Sequence, residues 1–299
     1  MTFVSTTRTN PDRVEVRDEH GALLATFTIH AYTVTLAGPQ RTFSETAGAT
    51  TITITHSTWV RAAPGPFSGQ VDERWLGKAL EANAAQVPDA LGLAIQYLKG
   101  VAPLMLGDLQ IAGDASYGPL DEHGKRQENS DFNDYLGLPW LYPAESPDPP
   151  EPAEFRCLDC SGYIRMVWGY RHHLPNAGYP DQVPLSRVPR AGLTLPRRSF
   201  QIYTEGTGVI IIPNAGTQVA SDVIESHLGI GDLVFFDRAD DPGLLDHVGM
   251  YVGQDAAGDY RFISSRKTID GPTFADVGGK AILNGTLTYA RTFRAARRI

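Results

Sequence analysis

Cysteine is scarce in this chain: its 299 residues include two, Cys157 and Cys160. Two thiols exclude a multi-bridge disulfide framework and cannot supply the ligands of a four-thiolate zinc site. No apolar stretch reaches the length of about 18 residues that a membrane-spanning helix needs, and the first residues show no apolar signal-peptide segment. Any chemistry of these thiols is therefore expected to be local.

An excess of basic residues is also missing. The chain has 26 Lys and Arg residues against 34 Asp and Glu residues, which gives a net charge of -8. A phosphate backbone needs a basic face, so no nucleic acid is expected as a partner. The hydrophobic content of 42% can fill a large core, and the length suggests two domains at roughly 150 residues each.

The amino-terminal part shows the period of strands. Apolar and polar residues alternate between residues 13 and 67, which predicts half-buried strands and a small antiparallel β module over residues 1–67. From Trp75 the apolar spacing becomes helical, which predicts a helical connection over residues 68–100. Residues 101–299 are predicted to form the second domain.

That second domain shows one clear helix followed by a run of strands. The helix is predicted from Cys160 to Tyr170. The strands are predicted at 208–212, 233–236, 248–252, 260–263 and 287–293. One helix before several strands predicts an α+β fold with an antiparallel sheet.

Cys160 stands at the start of the predicted helix, where Asp159 is a good N-cap. The unpaired N–H groups and the positive end of a helix dipole favour a thiolate and can hold a developing oxyanion. This position therefore predicts a nucleophile. The alternative is a small core residue, because free cysteine is among the most buried residue types.

A nucleophilic cysteine needs a base, and His247 is the best placed of the eight histidines. It precedes the predicted strand Val248–Gly253, whose alternation puts Gly249 on the same face with space beside the ring. His172 and His173 lie roughly 18 Å along the helix axis from Cys160 if the helix continues, which is too far for a hydrogen bond.

Four motifs in order resemble the NlpC family of cell-wall cysteine peptidases, which have a papain-like fold. The resemblance covers roughly residues 100–299. The motifs are Asp159–Ile164 (DCSGYI), Leu195–Gln201 (LPRRSFQ), Gly231–Phe236 (GDLVFF) and His247–Gly253 (HVGMYVG). Any one of them is weak evidence, whereas their joint occurrence is specific.

The resemblance implies roles for individual residues. Cys160 matches the nucleophile, and His247 matches the general base that forms the thiolate–imidazolium pair. Asp159 and Ser161 match positions that line the substrate groove. The implied fold is a helix bearing Cys160, packed on an antiparallel sheet behind the β module.

The family also has a tyrosine ahead of its cysteine helix that helps at the oxyanion site. Tyr117 is the best match, although its distance of 160 − 117 = 43 residues from Cys160 is longer than the family pattern. Tyr135 and Tyr142 are the alternatives.

The third member of the family's catalytic group is often a histidine on the strand after the base. Here Ser264 occupies that place, and its hydroxyl could accept the imidazole N–H. Ser265 is the alternative if the register of the hairpin slips by one residue.

The implied activity is hydrolysis of peptidoglycan stem peptides at the D-glutamyl to diamino-acid bond through a thioester, with no metal and no cofactor. The stem peptide is then the partner and the cell wall the place of action. Without a visible signal peptide, one route outward is a secretion or phage-tail-like delivery machine.

Other readings of the same residues stay open. An acyltransferase or amidase of the same fold, acting on a protein or a lipid, would use the same residues. A redox protein would use Cys157 with Cys160, and a non-catalytic cell-wall-binding protein would use neither thiol. Asp131, Asn133 and Asp134 could be ligands for a hard cation, although a solvated polar loop also explains them.

Overall fold

The computed structural model describes residues 3–142, 145–173, 183–190, 192–238 and 243–299. The first five strands pair in chain order into one antiparallel sheet. Its inner face carries alternating apolar residues such as Val14 and Val16, as the period of two predicts. The strands are β1 (Phe3–Arg8), β2 (Arg13–Asp18), β3 (Leu23–Thr28), β4 (Thr33–Ala47) and β5 (Thr50–Ala62).

Two helices follow this sheet and pack into different cores. Helix α1 (Glu73–Ala84) begins at Asp72, whose carboxylate accepts the N–H groups of Arg74 and Trp75 at 2.9 and 3.0 Å. The apolar side of α1 packs on the first sheet. Helix α2 (Ala90–Ala94), with the 3-10 turn Ile95–Tyr97, packs into the core of the second half.

Short elements lead to the cysteine helix. They are β6 (Leu104–Leu106), β7 (Leu109–Ala112), α3 (Phe132–Leu136), β8 (Trp140–Leu141), β9 (Pro147–Asp148) and a 3-10 turn at Pro152–Glu154. Helix α4 (Cys160–Ile164) continues as a wider helical turn over Arg165–Tyr170 and ends in a 3-10 turn at Arg171–His173. The helix predicted from Cys160 to Tyr170 is therefore present.

The second half is built on a six-stranded sheet in the order β10-β15-β11-β12-β13-β14, with antiparallel pairs. Its helices and strands are α5 (Ser199–Glu205), β10 (Val209–Ile212), α6 (Ser221–His227), β11 (Leu233–Phe236), β12 (His247–Gln254), β13 (Tyr260–Arg266), β14 (Gly271–Thr273), α7 (Thr288–Thr292) and β15 (Phe293–Arg298). A 3-10 turn covers Lys267–Ile269. This mixed α/β architecture with antiparallel sheets is consistent with the predicted fold class.

The two faces of this sheet belong to different cores. Val248 and Met250 of β12 share one core with Cys160 and α4, whereas Tyr251 packs on the other face with Phe236 and neighbouring aromatic residues. The cysteine helix therefore lies on one face of an antiparallel sheet. Among the described residues, no helix combines the length and apolar character needed to cross a membrane.

The strand predicted at 287–293 is wrong. Residues Thr288–Thr292 form α7, and the strand β15 begins at Phe293. Tyr289 and Phe293 are four residues apart, a spacing that puts both side chains on one face of either a strand or a helix. Both rings pack on Phe236, at centroid distances of 5.5 Å for Tyr289 and 5.8 Å for Phe293. A single helical turn satisfies that packing as well as a strand would. Helices α5 and α6 also went unpredicted.

The two halves are joined by direct hydrogen bonds. The carboxylate of Glu45, on the hairpin formed by β4 and β5, accepts the N–H groups of Phe274 and Ala275 at 2.7 and 3.1 Å. Arg298 of β15 also donates to the Thr28 hydroxyl of β3 at 2.8 Å. The first sheet therefore packs firmly on the second half.

Candidate active site

The start of α4 is tied to the loop before α3. Asp159 accepts the N–H of Gly162 at 2.7 Å, which caps the helix, and the N–H of Asn129 at 3.1 Å. Its own N–H donates to the carbonyl of Ser130 at 2.9 Å. A Cβ at Gly162 would lie 2.3 Å from that same carbonyl, so only glycine permits this approach. The loop holds the first turn, and Cys160 with it, in place.

Arg197 also holds the first turn of α4, through hydrogen bonds to two of its residues. It donates to Asp159 at 2.7 and 3.2 Å and to the Ser161 hydroxyl at 2.8 Å. Arg197 belongs to the segment 195–201 that contributes to the family resemblance. The two residues expected in the substrate groove, Asp159 and Ser161, are therefore buried and hydrogen-bonded within the protein.

The thiol of Cys160 points at the start of β12. Its Sγ lies 4.0 Å from the carbonyl oxygen of Asp246, and the backbone N–H of Val248 also faces it. Burial, and then the negative charge of Asp159, raise the pKa of the thiol to about 12. These effects outweigh the helix N-terminus, so the resting thiol is neutral at pH 7, contrary to the expectation of a thiolate.

His247 begins β12 and packs between aromatic rings. Its ring centroid lies 5.7 Å from Phe236 and 5.9 Å from Tyr289. Burial, and then the charges of Arg238 and Arg266, hold the pKa of His247 well below its usual range. The imidazole is therefore neutral at pH 7 and able to accept a proton.

Ser264 lies beside the imidazole. The distance from His247 Nε2 to Ser264 Oγ is 3.2 Å. Gly249 permits this, because a Cβ there would lie 3.1 Å from Ser264 Cβ and 2.8 Å from the carbonyl of Ile263. Ser265, one residue further, faces the other side of the sheet and donates to the carbonyl of Leu158 at 2.5 Å. The register thus brings Ser264 to the imidazole.

The thiol and the imidazole approach β12 from different sides. The thiol contacts the backbone of Asp246 and Val248, the two neighbours of His247. The imidazole extends toward Phe236 and Ser264. Proton transfer between them requires the thiol to leave the carbonyl of Asp246. Such adjustments are usual between a free enzyme and its substrate complex.

A bridge between two distant chain segments places Tyr117 within electrostatic range of Cys160. Ser116 donates to the carbonyl of Arg156 at 3.0 Å and accepts the N–H of Leu158 at 2.8 Å, which pairs the two chain segments. Burial, and then the charges of Cys160 and Asp159, raise the pKa of Tyr117. Tyr117 therefore lies within electrostatic reach of the thiol.

The two alternative tyrosines are occupied elsewhere. The hydroxyl of Tyr135 donates to the carbonyl of Gly113 at 3.0 Å, and that of Tyr142 donates to Asp131 at 3.1 Å. Of the three tyrosines, the structure brings Tyr117 toward Cys160.

Tyr117 and His247 line a common pocket of about 230 Å³. Its wall also includes Arg238, Arg266 and Tyr289. Sequence reasoning missed these three residues. Arg266 could have been found, because it lies two residues after Ser264 and so on the same face of β13. Arg238 and Tyr289 carry no local signal.

Cys157 lies on the bridged segment behind the site. Its thiol is 3.8 Å from the carbonyl of Phe155, and burial raises its pKa to about 11. Both cysteines are free thiols. This environment is that of a packed side chain beside the loop.

Three carboxylates approach one another near α3. The ligand atoms of Asp134, Glu151 and Glu154 lie within 4.8 Å of one another. The carboxylate of Asp134 already accepts the N–H groups of Asp131 and Glu151 at 2.9 and 3.0 Å. Burial, and then the Glu151 carboxyl, raise the pKa of Asp134 to about 7. The group can thus hold a shared proton, and we do not assign it to a metal.

Comparison with known proteins identifies the class of this domain. Residues 137–271 match the NlpC/P60 family. The matched segment contains Cys160, His247 and Ser264, whereas Tyr117 lies before it. The chain therefore carries an NlpC/P60 domain, which confirms the family resemblance of its motifs. The match over residues 137–271 indicates a cell-wall peptidase or a related hydrolase.

One solved structure is similar to the chain, an NlpC/P60 family protein from Bacillus cereus ATCC 10987. The two are 13% identical, and the alignment covers 99% of this chain and 78% of the other with a TM-score of 0.32. No curated protein matches the chain.

Proposed function

We propose that the protein is a cysteine peptidase that hydrolyses peptidoglycan stem peptides at the D-glutamyl to diamino-acid bond. The observation that carries this proposal is the placement of Cys160. Its thiol stands at the first turn of α4, directed at the strand start that holds His247, within a matched NlpC/P60 domain. A papain-like arrangement of helix and sheet is part of the proposal.

The chemistry would be acyl transfer in two steps. His247 takes the proton of the thiol, and the sulfur of Cys160 attacks the carbonyl carbon of the scissile amide. The C–N bond breaks as the imidazolium returns the proton to the leaving amine, and a thioester remains. Water, deprotonated by His247, then hydrolyses the thioester and frees the carboxylate and the thiol.

Two features support stabilisation of the tetrahedral intermediate. Backbone N–H groups in the first turn of α4 are available as donors to an oxyanion. Burial, with the charges of Cys160 and Asp159, raises the pKa of Tyr117, which keeps its phenol protonated. In this proposal the phenol of Tyr117, which lines the pocket with His247, donates to the oxyanion.

Ser264 takes the role of orienting the base. A hydroxyl is neutral, so it holds the imidazole without raising its pKa as a carboxylate would. This agrees with an imidazole that rests in its neutral form. The proton acceptor is then available before the thiol loses its proton.

The direct test is digestion of purified cell walls, with the released muropeptides identified by mass spectrometry. We expect fragments that end at D-glutamate and new amino termini at the diamino acid. Cys160→Ala should release none, whereas Cys157→Ala should release the same fragments as the unmodified protein.

Three outcomes would contradict the proposal. Activity that survives in Cys160→Ala would exclude the nucleophile. Equal loss in both cysteine variants would favour a dithiol. Transfer of the acyl group to an added amine, with no hydrolysis, would assign an acyltransferase of the same fold.

A further inference from the structure

The residue before the candidate nucleophile is an acid, which is unfavourable for a thiolate. Asp159 precedes Cys160 and is buried with it at the start of α4. A negative charge beside the sulfur disfavours a second negative charge on it, and in a buried site little solvent screens the two. Burial is the first cause that raises the pKa of the Cys160 thiol to about 12, and the charge of Asp159 is the second.

Arg197 binds this carboxylate through two parallel hydrogen bonds. Its Nη1 donates to Oδ1 of Asp159 at 3.2 Å, and its Nη2 donates to Oδ2 at 2.7 Å. Bidentate pairing of this kind fixes the direction of a carboxylate and also neutralises its charge. The N–H groups of Gly162 and Asn129 donate to the same two oxygens at 2.7 and 3.1 Å. The carboxylate is therefore held in one orientation with a positive charge beside it.

Arg197 keeps its charge although it lies in the protein interior. Its side chain is 11% exposed. Burial favours the neutral form, but the charges of Asp159 and Asp131 outweigh burial and raise the pKa of Arg197. A negative sulfur at Cys160 acts in the same direction, and by reciprocity the guanidinium favours the thiolate.

Stability alone does not explain a buried ion pair at this position. Such a pair is often no more stabilising than well-packed apolar side chains of the same volume. Asp131 and Arg165 already form one nearby, at 2.9 Å. Asp159 caps α4 through the N–H of Gly162 without Arg197, and an uncharged Ser or Asn caps a helix equally well. The ion pair therefore matters for the charge beside the sulfur.

Charged and titratable groups surround the thiol on several elements. Its own helix start contributes Asp159, the segment 195–201 contributes Arg197, and the loop before α3 contributes Glu128, whose charge also raises the pKa of the thiol. Further titratable groups line the adjacent pocket: Tyr117, Asp246 and His247. Among the groups that act on the thiol itself, Arg197 supplies a positive charge.

We propose that Arg197 is a positioning residue for the nucleophile: by binding Asp159 it cancels the repulsion that this carboxylate exerts on the Cys160 sulfur. The inference deepens the proposed function, because it concerns the same thiol. When His247 takes the thiol proton, the sulfur becomes negative while Asp159 stays negative. Arg197 lowers the cost of having both charges in one buried site. It acts through Asp159 and not on the reacting atoms.

Two substitutions that break the same ion pair test this, because they should change the reactivity of the thiol in opposite directions. In the Cys157→Ala protein, mass spectrometry measures the rate of iodoacetamide labelling of Cys160 between about pH 7 and 9. Arg197→Gln leaves the charge of Asp159 uncompensated, so labelling at a given pH should be about tenfold slower. Asp159→Asn keeps a capping side chain and the charge of Arg197, so labelling should be about tenfold faster.

A general loss of structure cannot produce this pattern. Both variants lose the ion pair and should lower the melting temperature, and a loosened site would expose the thiol and speed its labelling in both. Arg198→Gln is the matched control, because this neighbouring arginine is exposed and donates to Asn129 at 2.7 Å. It should leave the labelling rate within about twofold, since solvent screens an exposed charge.

The double variant keeps the test open if Arg197→Gln alone does not fold. Asp159→Asn with Arg197→Gln contains no unpaired acid at this position. It should label about tenfold more slowly than Asp159→Asn alone, because only the charge of Arg197 differs between the two. Equal rates in these two proteins would overturn the role of Arg197.

The outcomes also separate this inference from the peptidase. Rates in Arg197→Gln and Asp159→Asn that do not shift in the expected opposite directions would overturn the role of Arg197. If the Cys157→Ala protein still hydrolyses cell walls, that result leaves the peptidase in place. The expected opposite shifts, in a protein that hydrolyses no cell wall, would support the role of Arg197 and overturn the peptidase.

Discussion

Two pairs of arginines flank the candidate site, and their charges are compensated differently. On the helix side, Arg165 and Arg197 share the buried carboxylate of Asp131, and Arg197 also binds Asp159. On the strand side, Arg238 and Arg266 stack on Tyr289 without an acid in ion-pair contact among the described residues.

The paired arginines stabilise the fold, whereas the unpaired arginines keep a charge that can act on neighbouring groups or on a ligand. Paired charges on the helix side hold the first turn of α4 against neighbouring loops. Unpaired charges on the strand side instead lower the pKa of His247 and leave guanidinium groups at a pocket. Substitutions on the two sides should therefore change different quantities.

The largest expected effect is on turnover. His247→Ala should lower kcat on a stem peptide by about 10²- to 10⁴-fold with little change in binding, because a general base acts on the barrier. Steady-state kinetics measure this, with His20→Ala, in an exposed turn of the first sheet, as the control. A loss below about tenfold would assign the base to another residue.

Stability should respond on the helix side. Asp131→Ala leaves two buried guanidinium groups short of a carboxylate and should lower the free energy of unfolding by about 3 to 5 kcal/mol. Arg238→Gln, on the strand side, should stay within about 0.5 kcal/mol. Urea denaturation of both variants measures the contrast. Similar losses in the two variants would remove the distinction between paired and unpaired arginines.

The reactivity of the thiol should depend steeply on pH. Since burial and the charge of Asp159 raise the pKa of Cys160 to about 12, the thiolate fraction grows as the pH rises. In a Cys157→Ala background, the rate of iodoacetamide labelling should rise about tenfold per unit between pH 7 and 9. A rate that is flat over this range would show that the thiolate is already formed at pH 7.

The smallest effect is expected at Ser264. Ser264→Ala removes one neutral hydrogen bond to His247 and should cost about 0.5 to 1.5 kcal/mol, or roughly 2- to 13-fold in kcat. Ser265→Ala is the matched control, because that hydroxyl bonds to Leu158 on the other face of the sheet. It should lower stability by about 1 kcal/mol and leave kcat unchanged. The reverse pattern would assign the orienting role to Ser265.

Local pattern was enough to predict much of the site. Asp159 before Cys160 predicts a capped helix start, and the alternation after His247 predicts a strand with Gly249 beside the imidazole. The family resemblance implies Ser264 as the partner of that ring, with Ser265 as the alternative, and the distance from His247 Nε2 to Ser264 Oγ is 3.2 Å. Each of these depends on residues within one helix turn or one pair of adjacent strands.

Other features could not be predicted from local pattern. The carboxyl-terminal strand β15 is rich in arginine, a residue type usually exposed, yet it lies inside the sheet and Arg298 is buried against Asp232 at 2.7 Å. The helix N-terminus suggested a thiolate, yet burial raises the pKa of Cys160 to about 12. In both cases a distant segment determines how much solvent reaches the side chain.

The sequence by itself determined the resemblance of the second half to the NlpC/P60 family, the cysteine helix and the strand that begins at His247, because these depend on short motifs and on periodicity. The tertiary structure alone decided that Tyr117 approaches Cys160, that Arg197 is neutralised by Asp159, and that Arg238 and Arg266 meet at Tyr289. The physical reason is that charge pairing and desolvation depend on distances in space between residues far apart in the chain, and periodicity contains no information about those distances.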